Sequence, residues 1–343
     1  MLPVKILGRH IIFDEIIWLS SSGSEVSFEY DLCSGGEIAL YGDETALDEG
    51  RVPNRARYAV YFDEVLIALG VMDTEKKRIP VPMYPDCHGT VRVVKLSEAS
   101  QSNLGVSLQG FDGTVKPLDE KKRKIEFIGD SITCGYAIDG NAGQTFSTAL
   151  EDVQKTYAAY VARALDADAC YTCFSGFGII SGYTGDGVRN TQCLVPDWYE
   201  KVGYCDAPVP GHDRVNAYDW DFSSFVPDTV VINLGTNDFS YTGANEEKQN
   251  FYRDEYVKFL KTVRRRNPAA RIVCILGIMG EILNGKAGEA VEQYRKETGD
   301  NGVSFHSFSL QRPEDGLAPD GHPTPATNRR AGEKLLKILQ SGE

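Results

Sequence analysis

KIEFIGDSITCGY, residues 124 to 136, is an apolar strand that runs straight into Gly129, Asp130 and Ser131, where it must turn. A serine at the end of a strand either fills a turn or is a nucleophile delivered to the sheet edge. The choice depends on what the rest of the chain brings to the same edge.

From Arg123 onward the chain alternates strand and helix. KIEFIG is followed by a helical pattern over VQKTYAAYVARAL (153 to 165), then by ADACYTCF, TVVINLG, a helix near 246 to 265 and RIVCILGI. A helix near 286 to 298, the strand GVSFHSF and a last helix ending at Gln340 complete the series. Tyr252, Tyr256, Phe259, Leu260 and Val263 keep the 3.6-residue period. Arg264, Arg265 and Arg266, followed by Asn267 and Pro268, suit the negative end of a helix dipole and a stop, so this cluster reads as helix termination rather than phosphate binding. Short apolar strands alternating with helices predict an α/β parallel sheet covered on both faces, over residues 123–343.

Residues 1–118 have a different rhythm. VSFEYDL puts Val26, Phe28, Tyr30 and Leu32 on one face, and RYAVYF and VLIAL are separated only by Asp63 and Glu64, the pattern of a tight hairpin. TVRVVKL and GVSLQGF continue the series. Many short strands without helical pattern predict an antiparallel sandwich or jelly roll.

Composition narrows the function. The net charge of −13, from 36 basic and 49 acidic residues, speaks against nucleic acid as a partner. No stretch approaches the roughly 20 apolar residues that span a bilayer, and the first residues lack a signal-peptide pattern, so the expected location is cytoplasmic. The eight cysteines are then expected to stay reduced, with Cys170 and Cys173 as core-strand residues and Cys134 as a small packed one. The histidines at 10, 88, 212 and 306 have no partner at metal-ligand spacing, so neither metal nor cofactor is expected. His212 and Asp213 read as a hydrogen-bonded loop pair.

In an open parallel sheet ligands bind beyond the carboxyl ends of the strands. GDS (129–131), SGFG (175–178) and GTND (235–238) follow the first three predicted strands, and DGHPT (320–324) precedes the last helix. Acyl transfer is the chemistry that needs this set. A serine hydroxyl requires a base, for which His322 is the candidate against Ser131. The tetrahedral intermediate requires donors for its oxyanion, and the Ser131 N–H, the Gly176 N–H and the Asn237 amide could supply three. Asp130 and Asp238 read as loop anchors. The segment from Gly182 to Phe222 carries Tyr183, Trp198, Tyr199, Tyr218 and Trp220, and Tyr183 and Trp198 are its candidate substrate contacts.

The order GDS, SG, G-x-N-D and D-x-H-P resembles the SGNH (GDSL-type) hydrolase superfamily. IEFIGDSITCGY, VVINLGTND and DGHPT behind a β domain are similar to carbohydrate esterase family 2. The resemblance implies an N-terminal jelly roll, an SGNH domain, and removal of O-acetyl groups from plant oligo- or polysaccharides, of mannan or xylan type, with a family tendency to the primary 6-position. It implies Ser131 as nucleophile, His322 as base, and Gly176 and Asn237 as oxyanion donors. One departure stands out: many SGNH hydrolases place an aspartate three residues before the histidine, and here that position is Pro319. Asp320, two residues before His322, is poorly placed to meet the imidazole; a backbone carbonyl giving a Ser–His dyad is the favoured reading, with Glu314 or Asp315 as alternatives for a third member. Two other functions stay open: a lipase or thioesterase on other acyl chains, and a non-catalytic glycan-binding protein.

Overall fold

The computed structural model describes residues 3–32, 36–81, 88–109, 111 and 113–342. Cys33 and Cys87 lie outside them.

Two antiparallel sheets occupy the first third of the chain. One contains Lys5–Leu7, Glu25–Leu32, His88–Lys95, Arg57–Phe62 and Val65–Val71 in that spatial order, with Gly113–Pro117 also pairing with Glu25–Leu32. The other orders His10–Phe13, Ile16–Leu19, Leu104–Ser107, Gly36–Gly42 and Lys76–Val81. Val26, Phe28 and Tyr30 lie in one core with Ile17, Leu40, Val60, Val91 and Val106, as period-two burial requires. The expected hairpin forms, and Asp63 and Glu64 both take positive φ (44° and 63°), the backbone of a two-residue primed turn.

The second part is a five-stranded parallel sheet of β1 (Arg123–Gly129), β2 (Ala167–Cys173), β3 (Thr229–Asn233), β4 (Arg271–Leu276) and β5 (Val303–Ser307), in the order β2-β1-β3-β4-β5. Its helices are α1 (Ser131–Cys134), α2 (Tyr157–Ala164), α3 (Val195–Trp198), α4 (Thr236–Thr242), α5 (Glu246–Arg266), α6 (Asn284–Thr298) and α7 (Pro325–Gln340). One face of the sheet meets α5 and α6 through Tyr252, Tyr256, Leu260, Val263 and Tyr294. The opposite face meets α2 and α7 through Tyr157, Val161, Leu335 and Leu339. Helix α2 begins later than the periodicity predicts. Thr156 caps it by accepting from the Ala159 N–H, and residues 153–155 form a separate 3₁₀ turn. The Arg264 side chain closes α5 by donating to the carbonyls of Asn267, Pro268 and Ala270, the termination role its position suggests. Among the described residues no helix is long and apolar enough to cross a membrane.

Candidate active site

The turn after β1 is built by its own residues. A Cβ on Gly129 would collide with the Thr133 side chain, so the strand must end on glycine for the next turn to fold back over it. Asp130 then caps α1, its carboxylate accepting from the Ile132 N–H at 3.0 Å, while Gly135 ends the helix at φ 82°. Ser131 is thereby fixed as the first residue of a single helical turn at the carboxyl edge of a central strand.

The loop before α7 arrives at this point. His322 Nε2 lies 2.8 Å from Ser131 Oγ, although 191 residues separate the two in the chain. Its Nδ1 lies 3.1 Å from the Pro319 carbonyl oxygen. That bond makes Nδ1 the protonated nitrogen and leaves Nε2 free to take the serine proton. The peptide oxygen of residue 319 thus stands where the expected aspartate is missing. Neither acidic alternative meets the ring: Asp315 pairs with Arg330, and Glu314 lies on the surface facing Arg312 at 3.9 Å. Asp320, held at φ 53°, accepts from the Tyr136 hydroxyl at 2.8 Å. The Tyr136 ring stacks on the imidazole at 4.1 Å and on Phe146 at 4.1 Å, and so walls the histidine on one side. Burial lowers the His322 pKa, against the Pro319 bond and the charge of Asp320, which raise it; the neutral, proton-accepting form is favoured.

Two further loops, after β2 and β3, carry the expected donors Gly176 and Asn237. Gly176 sits at φ 80° with open space where a Cβ would point. Its carbonyl accepts from the Tyr183 N–H at 2.7 Å. Among the described residues, neither the Ser131 nor the Gly176 backbone N–H has an acceptor within the chain. Asn237, near the start of α4, ties its Nδ2 to the Phe177 carbonyl at 2.8 Å and lies 3.5 Å from Asp130 Oδ2. An amide nitrogen carries two hydrogens: the Phe177 bond holds one, and the other makes only the long contact to Asp130, from which a ligand could draw it.

Two buried carboxylates brace these loops. Asp238 accepts from the N–H groups of Ile179, Ile180 and Ser181 at 2.7 to 3.1 Å, which fixes the segment between Gly176 and Tyr183. Desolvation raises Asp238 to about 6 against those three bonds. Desolvation likewise raises Asp130 to about 7, with the Asp238 charge adding to it and the Ile132 bond opposing.

The candidate substrate contacts fall in different places. Tyr183 is 64% exposed, and its backbone N–H donates to the Gly176 carbonyl, which ties its main chain to that loop. Trp198 is half-buried, packs on Tyr204 at 4.9 Å, and lines a hollow of about 520 Å³ with Pro208, His212 and Arg214 that contains none of the four residues above. Trp220 and Tyr199 are buried packing residues. His212 bonds to Asp14 at 3.0 Å and stacks on Phe13, so its partner is not the adjacent Asp213 but the antiparallel sheet.

Among the described residues, one grouping brings ligand-type atoms together: Glu98, Cys134 and Glu151, all buried, with their oxygen and sulfur atoms within 4.8 Å of one another. Sequence reading passed over Glu98 and Tyr136. Tyr136 had a signal, since it closes the GDSITCGY stretch. Glu98 had none, because its contact crosses 77 residues into the other half of the chain.

Residues 127–330, more than half of the chain, match the GDSL-like lipase/acylhydrolase family. Cellulase/esterase CelE of Acetivibrio thermocellus is 37% identical over 259 residues, which cover 72% of this chain and 29% of that protein. An acetylxylan esterase/glucomannan deacetylase of Cellvibrio japonicus is 33% identical over 224 residues, 64% of this chain and 57% of that one. The chain thus matches less than two thirds of the length of either relative. Among solved structures, a family two carbohydrate esterase from Clostridium thermocellum in complex with cellohexaose superposes with a TM-score of 0.82 at 27% identity, covering 99% of this chain and 98% of that one. The acetyl xylan esterase Est2A from the rumen bacterium Butyrivibrio proteoclasticus has the same fold (TM-score 0.83, 24% identity, 99% and 95% covered). The chain belongs to the GDSL-like lipase/acylhydrolase family and has the two-part fold of the family two carbohydrate esterases.

Proposed function

We propose that the protein is a serine esterase that removes O-acetyl groups from plant-type oligo- or polysaccharides through an acyl-enzyme. The observation that carries this reading is the 2.8 Å contact between Ser131 Oγ and His322 Nε2, at a strand end where two unengaged backbone N–H groups also lie. Ser131 Oγ attacks the acetyl carbonyl as His322 Nε2 takes its proton. The negative charge that develops on the carbonyl oxygen is met by the Ser131 and Gly176 N–H groups and the Asn237 amide. Collapse breaks the C–O bond to the sugar, whose oxygen receives the proton from His322. Water, deprotonated by the same nitrogen, then attacks the acetyl-serine and releases acetate.

The names of the relatives support the substrate class. Two are called acetylxylan esterase/glucomannan deacetylase, which puts both xylan and mannan backbones within the proposal. Tyr183 offers an exposed aromatic face beside Gly176 for stacking on a sugar ring, and a primary 6-O-acetyl group, the least hindered on a hexose, is the position we assign to the site. A second reading, glycan binding at the same cleft without turnover, draws on the cellohexaose complex of the Clostridium relative.

Intact-mass measurement of the protein mixed rapidly with an aryl acetate tests the mechanism. A 42 Da adduct that maps to Ser131 and is absent from Ser131→Ala supports the acyl-enzyme (an acetyl group replaces one hydrogen, so the shift is about 42 Da). Turnover with no adduct in wild type, or an adduct kept in the variant, contradicts it.

A further inference from the structure

We propose that Glu98, from the antiparallel half of the molecule, is a positioning residue for the oxyanion donor Gly176. The inference rests on the esterase reading above and adds a residue to it.

Glu98 lies in the connection between strands His88–Lys95 and Leu104–Ser107 and is fully buried. Its Oε2 accepts from the Ser175 N–H at 2.6 Å and is also 3.8 Å from Cys134 Sγ. One carboxylate oxygen therefore touches both the residue before Gly176 and the last residue of the helical turn that begins at Ser131. Gly176 itself, at φ 80°, has no side chain to hold its peptide plane. Its orientation is set from the two sides: Tyr183 N–H grips its carbonyl, and Glu98 grips the Ser175 N–H. The peptide that carries the Gly176 N–H lies between these two bonds, and that N–H has no acceptor among the described residues.

The surroundings hold Glu98 in place. Its own N–H donates to Glu151 Oε2 at 3.2 Å, and the buried Lys95 ammonium donates to the carbonyls of Ser97 and Glu98 at 2.6 and 2.8 Å. Arg57 Nη1 donates to the Glu151 carbonyl at 2.9 Å and to Asp139 at 2.9 Å. Burial and the neighbouring Glu98 push the Glu151 carboxyl up, toward its neutral form. The second oxygens of Glu98 and Glu151 have no protein partner among the described residues. Closing a gap between sheets calls for an apolar residue, because a buried carboxylate is costly. A carboxylate is justified here by the short bond it makes to a backbone N–H one residue from an oxyanion donor, where a small misplacement has a large effect on rate.

The test compares Glu98→Gln, Glu98→Asp and Glu98→Leu with wild type and Ser131→Ala on 4-nitrophenyl acetate, which has no sugar to position. A trifluoromethyl ketone, which adds to the serine to form a tetrahedral oxyanion, reports donor alignment. Thermal melts and the titratable serine fraction normalise each rate. The amide oxygen of Gln can accept the same bond, so Glu98→Gln is expected within about 3-fold of wild-type kcat. Glu98→Leu is expected to lose about 30- to 100-fold in kcat at a KM within about 3-fold, and to bind the ketone weaker by the same factor. Glu98→Asp, which retracts the carboxylate by one methylene and serves if the Leu variant does not fold, is expected to lose about 10-fold with the same split. Either variant keeping wild-type kcat per titratable serine, or Gln losing as much as Leu or Asp, overturns the proposal. So does a kcat loss with unchanged ketone affinity. If Ser131→Ala itself keeps turnover, the esterase reading fails and this inference with it, a result distinct from failure at Glu98 alone.

Discussion

The Nδ1 of His322 lies 3.1 Å from the carbonyl oxygen of Pro319, three residues earlier, while the intervening Asp320 turns its carboxylate to the Tyr136 hydroxyl. The imidazole is therefore oriented by a peptide oxygen, and the nearest carboxylate acts on it only through its charge and through the ring of Tyr136. His322→Ala is expected to lower kcat by about 10⁴-fold or more, as removal of a base does in serine hydrolases. Asp320→Ala is expected to stay within about tenfold of wild type. Both are read as kcat/KM on one ester with folding checked by circular dichroism, and comparable losses in two folded variants would contradict the dyad.

Burial lowers the His322 pKa, and only the neutral ring accepts the serine proton. The acid limb of kcat/KM should therefore have its midpoint below about 6.5, the ordinary histidine value. The charge of Asp320 acts to raise that pKa. Neutralising it in Asp320→Asn should move the limb to still lower pH. A profile of kcat/KM from about pH 4.5 to 8 checks both signs, and an upward shift in the variant would show that Asp320 is not coupled to the imidazole as described.

The Phe177 carbonyl fixes one Asn237 amide hydrogen at 2.8 Å, and the other makes only a 3.5 Å contact to Asp130, the hydrogen proposed to turn to the oxyanion. Asn237→Ala is expected to reduce kcat by about 10² to 10³ with little change in KM, the result of removing one oxyanion donor. A rise in KM at constant kcat, measured by steady-state kinetics, would instead assign Asn237 to substrate binding.

Asp130 is buried against Asp238, and its pKa of about 7 lies far above the ordinary 3.8. Between those two values the native state holds a proton that the unfolded state has released. Stability on this account falls as pH rises through the window and levels off above about 7. Asp130→Asn keeps a carbonyl oxygen to cap Ile132 and removes the titration. Its melting temperature relative to wild type should therefore climb from pH 4 to pH 7 and then stay flat, with Asp238 unchanged in both proteins. A difference independent of pH would mean that Asp130 is ionised in the folded protein.

The parallel sheet was legible because its strands are continuous apolar runs and its helices keep a 3.6-residue period, so Val230, Ile232, Leu260 and Val263 declare their burial locally. The Ser131–His322 pair was legible because each residue sits in a short motif at an element end. The GDS, SGFG and GTND motifs share one edge because they follow the carboxyl ends of β1, β2 and β3. The start of α2 was misjudged because Val153 is apolar and in phase, while the capping hydroxyl of Thr156 outweighs it. Contacts between the two halves left no trace: Glu98 to Ser175, and His212 to Asp14, each join segments whose local patterns are independent.

Ser131, activated by His322, is proposed to hydrolyse acetyl esters of carbohydrate. Acetate release from acetylated manno- and xylo-oligosaccharides, wild type beside Ser131→Ala, tests it most directly. Acetate is expected from at least one of the two series with wild type and none above background with the variant, the ranking of the series naming the preferred backbone. Equal release from both proteins, or oligosaccharide binding with no acetate from either, would contradict it.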